Sequence, residues 1–164
     1  RLGLFGVLQG GVLPAAAASG AIELGLGFGG RWSLTALGSV GLAQERRFEE
    51  RQTAVLRLLS AALRGCGTAL ERLRFRLDGC VGAQLLQVQG HGEGFDTNRS
   101  ASLTTFAPSL GVDGALRLSR ALEWRVELEG SLPLSRRSFL VDTRPIARAR
   151  ALSWCARSGP VLRF

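Results

Sequence analysis

The sequence predicts an all-β fold, a transmembrane antiparallel up-and-down β-barrel of about eight strands. Three observations predict it. In residues 122 to 134, Leu122, Trp124, Val126, Leu128, Leu132 and Leu134 alternate with Glu123, Arg125, Glu127, Glu129 and Ser131, the period of a strand with one apolar and one polar face. Segments of roughly ten residues with this period recur along the chain. The connections between them are alternately tight and long, as in barrels that cross an outer membrane.

Composition bounds the reading without choosing it. A chain of 164 residues is one domain by length, enough for a filled soluble core or for about eight membrane strands. All 21 basic residues are Arg, and Lys, Met and Tyr are absent, which points to a GC-rich coding bias; the missing Met marks a mature piece or the C-terminal part of a longer chain. A formal charge of +8 fits nucleic acid, an anionic lipid surface, or basic loops on a barrel. Hydrophobic content of 46% with 22 glycines argues against disorder.

Taking period two as the guide, strands are expected near residues 1–12, 20–29, 31–43, 53–66, 75–90, 102–118, 121–134 and 152–164. "GGR" and "SRA" make tight connections, whereas "QERRFEERQ", "HGEGFDTNRS" and "SRRSFLVDTRPIARAR" are long and polar. Short turns belong to the periplasmic side, so both termini are expected there. The uncharged run from Leu2 to Ile22 is long enough for a spanning helix, and its "AAAASG" resembles a signal cleavage zone. Gly3, Gly6, Gly10, Gly11, Gly20, Gln9 and Pro14 weaken that helix, and a strand, turn and strand absorb them better. Residues 45–77 also carry helical propensity, with Leu56, Leu59 and Leu63 on one stripe; strands are preferred because Gly65, Gly67 and Gly79 interrupt it.

The faces follow from the alternation. Ile22, Leu24, Leu26 and Phe28 oppose Glu23, Gly25 and Gly27, and Trp32, Leu34, Ala36, Val40 and Leu42 oppose Arg31, Ser33, Thr35 and Ser39. With lipid outside, the inward set includes Glu23, Asp113, Arg125, Glu127, Glu129 and Arg157, which would neutralise one another as a lumen charge network. An outward aromatic girdle is expected from Phe28, Trp32, Trp124 and Phe164 at the periplasmic rim and from Phe106 and Trp154 at the outer rim.

Candidate chemistry is sparse. Cys66 and Cys80 would bridge a hairpin in an oxidising compartment if its turn lies near Leu73, and would not if it lies near Ala69. Cys155 reads as a small inward residue, and scattered cysteines with one histidine offer no metal spacing. Gly25, Gly27 and Gly30 satisfy a dinucleotide outline, but no helix follows them. His91, with Glu93 and Asp96, suggests an acid/base or metal site but reads as a loop histidine, and nothing positions Ser100 or Ser102 beside it. Thus no catalytic residues and no cofactor are expected. Arg46, Arg47, Arg51, Arg136, Arg137, Arg144, Arg148 and Arg150 gather on the predicted outer loops, where bidentate contact with lipopolysaccharide phosphates and a plain solvated surface are comparable readings.

The stretches "GVLP", "LLSAALRGC", "CVGAQL" and "QGHGEGFD" and the ending "GPVLRF" resemble the small, uncharacterised outer-membrane β-barrels of myxobacteria and related GC-rich bacteria. The resemblance implies a bacterial outer-membrane location. It also implies that the last strand, with Trp154, Leu162 and Phe164 on one face, is the segment read by the barrel assembly machinery, although Ser158 and Pro160 interrupt its apolar pattern. The expected role is a structural or anchoring barrel with a side-chain-filled lumen, not an enzyme. A porin-like or transport barrel is the alternative if the chain belongs to a larger barrel. Rivals from other classes are a soluble Arg-rich nucleic-acid-binding β protein, an enzyme, and a soluble ligand-carrying barrel with its apolar face inward.

Overall fold

Alternation makes the strands, and the need to pair every backbone amide fixes their order. A computed structural model describes residues 1–13, 15–49, 52–93, 100–134, 138–141, 144–148 and 151–164. Among these, the strands are β1 (Leu2–Gly10), β2 (Ala17–Phe28), β3 (Trp32–Gly41), β4 (Gln44–Glu49), β5 (Gln52–Arg72), β6 (Phe75–Glu93), β7 (Ser100–Arg117), β8 (Leu122–Ser131), β9 (Ser138–Val141), β10 (Arg144–Arg148) and β11 (Ser153–Leu162). Eight of them, β1, β2, β3, β5, β6, β7, β8 and β11, pair antiparallel in chain order, and β11 returns to β1 through Leu2↔Leu162 and Gly10↔Trp154. The sheet is therefore a closed up-and-down barrel without a free edge along its body.

All eight expected strands are present. The alternatives of a spanning helix over Leu2 to Ile22 and of helix over residues 45–77 are not adopted: β1 and β2 occupy the first stretch, and β4, β5 and the start of β6 the second. Sequence reasoning ended the fourth barrel strand at Cys66, whereas β5 continues to Arg72, because a bulge between Thr68 and Leu70 breaks the alternation that would have revealed it. Two polar segments expected as loops contain further strands. β4 pairs with the start of β5, and β9 with β10 forms a separate two-stranded ribbon. Neither shows alternation, because beyond an apolar layer neither face has to be greasy.

Outward positions are apolar over one continuous belt. On β6, Phe75, Val81 and Leu85 face out, and the next outward residues are Gln87, Gln89 and His91. From Phe75 to Leu85 the strand rises ten residues, about 33 Å of chain, and at a tilt of about 40° it covers about 25 Å, the height of the apolar band of outer-membrane barrels. On β7 the belt runs from Phe106 to Leu116, with polar Ser102 and Thr104 beyond it. A soluble protein would turn this side inward, so the soluble nucleic-acid-binding and ligand-carrying alternatives do not fit the exterior. Closure by these eight strands likewise removes the basis for the larger, porin-like barrel, which needs an edge for more strands.

The turns at one end are tight. Gly29 and Gly30 take φ of 58° and 76°, a region glycine adopts without strain, and Leu73 at the β5–β6 turn takes φ of 42°. That turn places Cys66 opposite Cys80, and the two are disulfide-bonded inside the barrel. At the closing seam, a Cβ on Gly159 would run into the backbone of Leu4 and Phe5. Two outcomes are expected. Replacing Cys66 and Cys80 by Ser leaves the barrel folded but lowers its unfolding free energy by about 3 kcal/mol in a urea titration. Gly159→Val prevents the β1–β11 pairing, and unboiled protein then runs on a gel at its unfolded position.

Candidate functional site

The inward face is where the chain concentrates its charge. β8 presents Glu123, Arg125, Glu127 and Glu129 on one side because they are spaced by two, and Asp113, Glu23, Arg157 and Arg64 reach the same space from β7, β2, β11 and β5. The register sets Asp78, Asp113 and Glu127 directly opposite one another on β6, β7 and β8. Three adjacent carboxylates repel. Guanidinium groups from other strands are what make that arrangement tolerable.

Arg64 donates from Nη2 to Glu23 Oε2 at 2.9 Å, pairs with Glu127, and holds Nη1 3.6 Å from Glu129. Arg125 pairs with Glu23 and Asp113, its Nε donating to Asp113 Oδ1 at 3.2 Å, and it stands 5.8 Å from the centre of the Phe5 ring. Arg157 pairs with Glu127 and donates to Glu129 Oε2 at 2.6 Å. None of these seven side chains is more than 2% exposed, so the cluster is buried. Three guanidiniums thus face four carboxylates, and Arg1, whose Nε lies 4.0 Å from Glu23, offsets the remaining negative charge. Buried ions are tolerated only when paired and hydrogen-bonded in this way.

The structure places Glu23, Asp113, Arg125, Glu127, Glu129 and Arg157 in one connected network inside the barrel. Sequence reasoning missed Arg64, Arg76 and Asp78, and placed Glu123 on the polar face of its strand without including it in the network. Arg76, Asp78 and Cys80 share one face by simple alternation, as do Leu56, Leu58, Ala62 and Arg64, so the signal was present but masked by helical propensity. Above the ions, Gln84 donates to Ser131 at 2.5 Å, and the hydroxyls of Ser131 and Ser153 lie 2.6 Å apart. Beyond these, Val12 and Leu13 of the β1–β2 connection turn inward onto Ala17, Leu56, Leu58, Leu86, Val88 and Ala107. The lumen is therefore charged at mid-height and capped by an apolar cluster at the end away from the termini.

Phe28, Trp32, Trp124 and Phe164 are exposed on the half nearer the termini, and Phe106 and Trp154 on the other half; Phe75 joins the first group without having been anticipated. Trp124 donates its ring N–H to Ser158 Oγ at 3.0 Å, which gives that outward hydroxyl a partner in the apolar belt. Arg46 and Arg47 lie on β4, and Arg144 and Arg148 on β10, whereas Arg51, Arg136, Arg137 and Arg150 fall outside the described residues. His91, expected on a loop, lies on β6 opposite Ser100 of β7, because β6 and β7 extend beyond the belt; Asp96 falls outside the described residues. Among the described residues no group of three His, Cys, Asp or Glu suits a metal ion. Cys155 is buried and faces inward between Gln9 and Glu129.

The fold is similar to that of several solved outer-membrane barrels. A major outer membrane protein from Thermus thermophilus aligns with a TM-score of 0.67 at 11% identity over 100% of both chains. Ail, the attachment invasion locus protein of Yersinia pestis, aligns at 0.58 and 12% over 99% of this chain and 95% of its own. Neisserial surface protein A aligns at 0.61 and 8% over 99% and 94%. At such identities the likeness is one of fold, the closed eight-stranded antiparallel barrel of outer-membrane proteins. No protein-family model matches the chain, and no curated protein matches it in sequence.

The ion network generates its own test. Arg125→Met leaves Glu23 and Asp113 short of a partner and is expected to destabilise the barrel by about 3–5 kcal/mol. Adding Asp113→Leu recovers part of that loss in the same urea titration, because it removes one of the stranded charges.

Proposed function

We propose that this chain is a structural or anchoring barrel of a bacterial outer membrane, of the small type resembled by myxobacterial barrels, with its termini in the periplasm and its long polar segments outside. The observation that carries the reading is the filled lumen: the mid-height ions are buried, and Val12 and Leu13 cap them from the far end. An eight-stranded interior filled by side chains is not built as an open pore. The work of the protein then lies on its outside and at its ends, in lipid contact and loop display, and not in catalysis or transport.

Within this reading, Arg46, Arg47, Arg51, Arg136 and Arg137 meet lipopolysaccharide phosphates, and the last strand, ending at Phe164, engages the assembly machinery. The supporting features are the apolar belt, the exposed aromatic rings at both of its margins, and the crowding of Arg in the long connections.

Membrane fractionation is expected to recover the chain with the outer membrane, and unboiled samples to migrate differently from boiled ones. Purified barrel in planar bilayers is expected to give no steady conductance. A stable ohmic current through single wild-type barrels would contradict the closed-lumen role. Replacing Arg46 and Arg47 by Gln is expected to weaken retention on lipid A beads, and unchanged retention removes the phosphate contacts from the account.

A further inference from the structure

The end of the barrel that carries the termini holds positive charge that the lumen network does not neutralise. Arg1, Arg31, Arg76 and Arg163 line a recess of about 340 Å³, with Asp78 on its wall. Arg76 Nε donates to Asp78 Oδ2 at 2.9 Å, and its Nη2 is 3.5 Å from Glu123 Oε1. Arg163 shares the same Glu123 at 3.7 Å. Arg1 donates to Ser33 Oγ at 2.8 Å, and the Glu23 beside it is already held by Arg64 and Arg125. Arg31 has no carboxylate partner among the described residues. With Arg1 already set against the lumen network, Arg31, Arg76 and Arg163 remain around Asp78 and Glu123, with one positive charge in excess.

The space is made by what the inward face lacks. Gly25 and Gly27 contribute no side chains to the floor, and a Cβ at Gly25 would come within 2.5 Å of Arg1 Nε. A concave site with cations on several sides concentrates the potential, and partly desolvated guanidiniums gain most from a counterion that each can bind through its planar fork. Phosphate oxygens match that fork.

We propose that this recess binds a phosphate-type anion, either a phosphate monoester or a diphosphate, drawn from solution or presented as a lipid headgroup. Arg31 and Arg163 supply the charge that the bound anion neutralises, and Arg76 is held in place by Asp78. The assignment does not depend on whether the barrel conducts or anchors.

Full-length barrel, refolded in nonionic detergent, is titrated with pyrophosphate by calorimetry. The same protein in phosphatidylcholine nanodiscs, with and without phosphatidic acid, is assayed for retained lipid by native mass spectrometry. Arg31→Gln is compared with Arg120→Gln, which lies at the same end on the β7–β8 turn outside the recess, and heat-modifiable mobility confirms that both are folded. Saturable one-to-one pyrophosphate binding, weakened about tenfold by Arg31→Gln and untouched by Arg120→Gln, supports the site with a soluble ligand. The same variant pattern with phosphatidic acid alone supports it with a lipid headgroup. Equal losses in the two variants would reduce the recess to part of a diffuse basic rim, and absence of binding to either probe would remove it; both results overturn the proposal.

Discussion

The hydrogen-bonded seam between β1 and β11 is the condition on which the remaining features depend. A sheet in hydrocarbon cannot leave amides and carbonyls unpaired, since each orphaned group costs several kcal/mol by estimate, roughly 2–7. Pairing the first strand with the last satisfies the whole ladder within one chain. Closure also separates two solvents: outward side chains meet acyl tails, and inward side chains meet only one another. Gly159 carries unusual weight here, because the two strands approach too closely at that position for any side chain.

Once the sheet is closed, the interior must be filled. Eight strands leave a narrow cylinder, and this chain fills it with ions at mid-height and hydrocarbon at one end. The ions tie strands that never touch as neighbours: Glu23 of β2 meets Arg125 of β8, and Arg64 of β5 meets Glu127 of β8. These contacts span the lumen, so they oppose flattening of the cylinder in a way that the backbone ladder cannot. The disulfide between Cys66 and Cys80 adds a covalent tie between adjacent strands. The apolar cap exists because the β1–β2 connection carries Val12 and Leu13 and folds back over the opening.

Much of this was legible in alternation alone. The eight strands, the outward belt and the inward charges of β2, β7, β8 and β11 all follow from period two, because the membrane forces one face to be greasy over the full height of the belt. Legibility failed where that force is absent or obscured. β4, β9 and β10 lie in polar segments whose faces need no sorting, so their strands leave no pattern. Arg64 and Asp78 sit in a stretch rich in Leu, Ala and Arg, where local helical propensity competes with a weaker alternation. Which guanidinium meets which carboxylate depends on register across the lumen, and no local pattern encodes it. The recess at the termini joins residues as distant as Arg1, Arg31, Arg76 and Arg163, which become neighbours only after closure.

The central claim is that the outward face of the closed sheet is bathed by lipid. Nitroxide labels at Val126 and Leu128 of β8 and at Gln89 of β6, read by power saturation in bilayers, test it most directly. The account predicts that labels at Val126 and Leu128 are relaxed by oxygen and shielded from an aqueous nickel chelate, and that the label at Gln89, beyond the belt, responds to the chelate. Relaxation of the Val126 and Leu128 labels by the aqueous chelate, or by neither reagent, would contradict it.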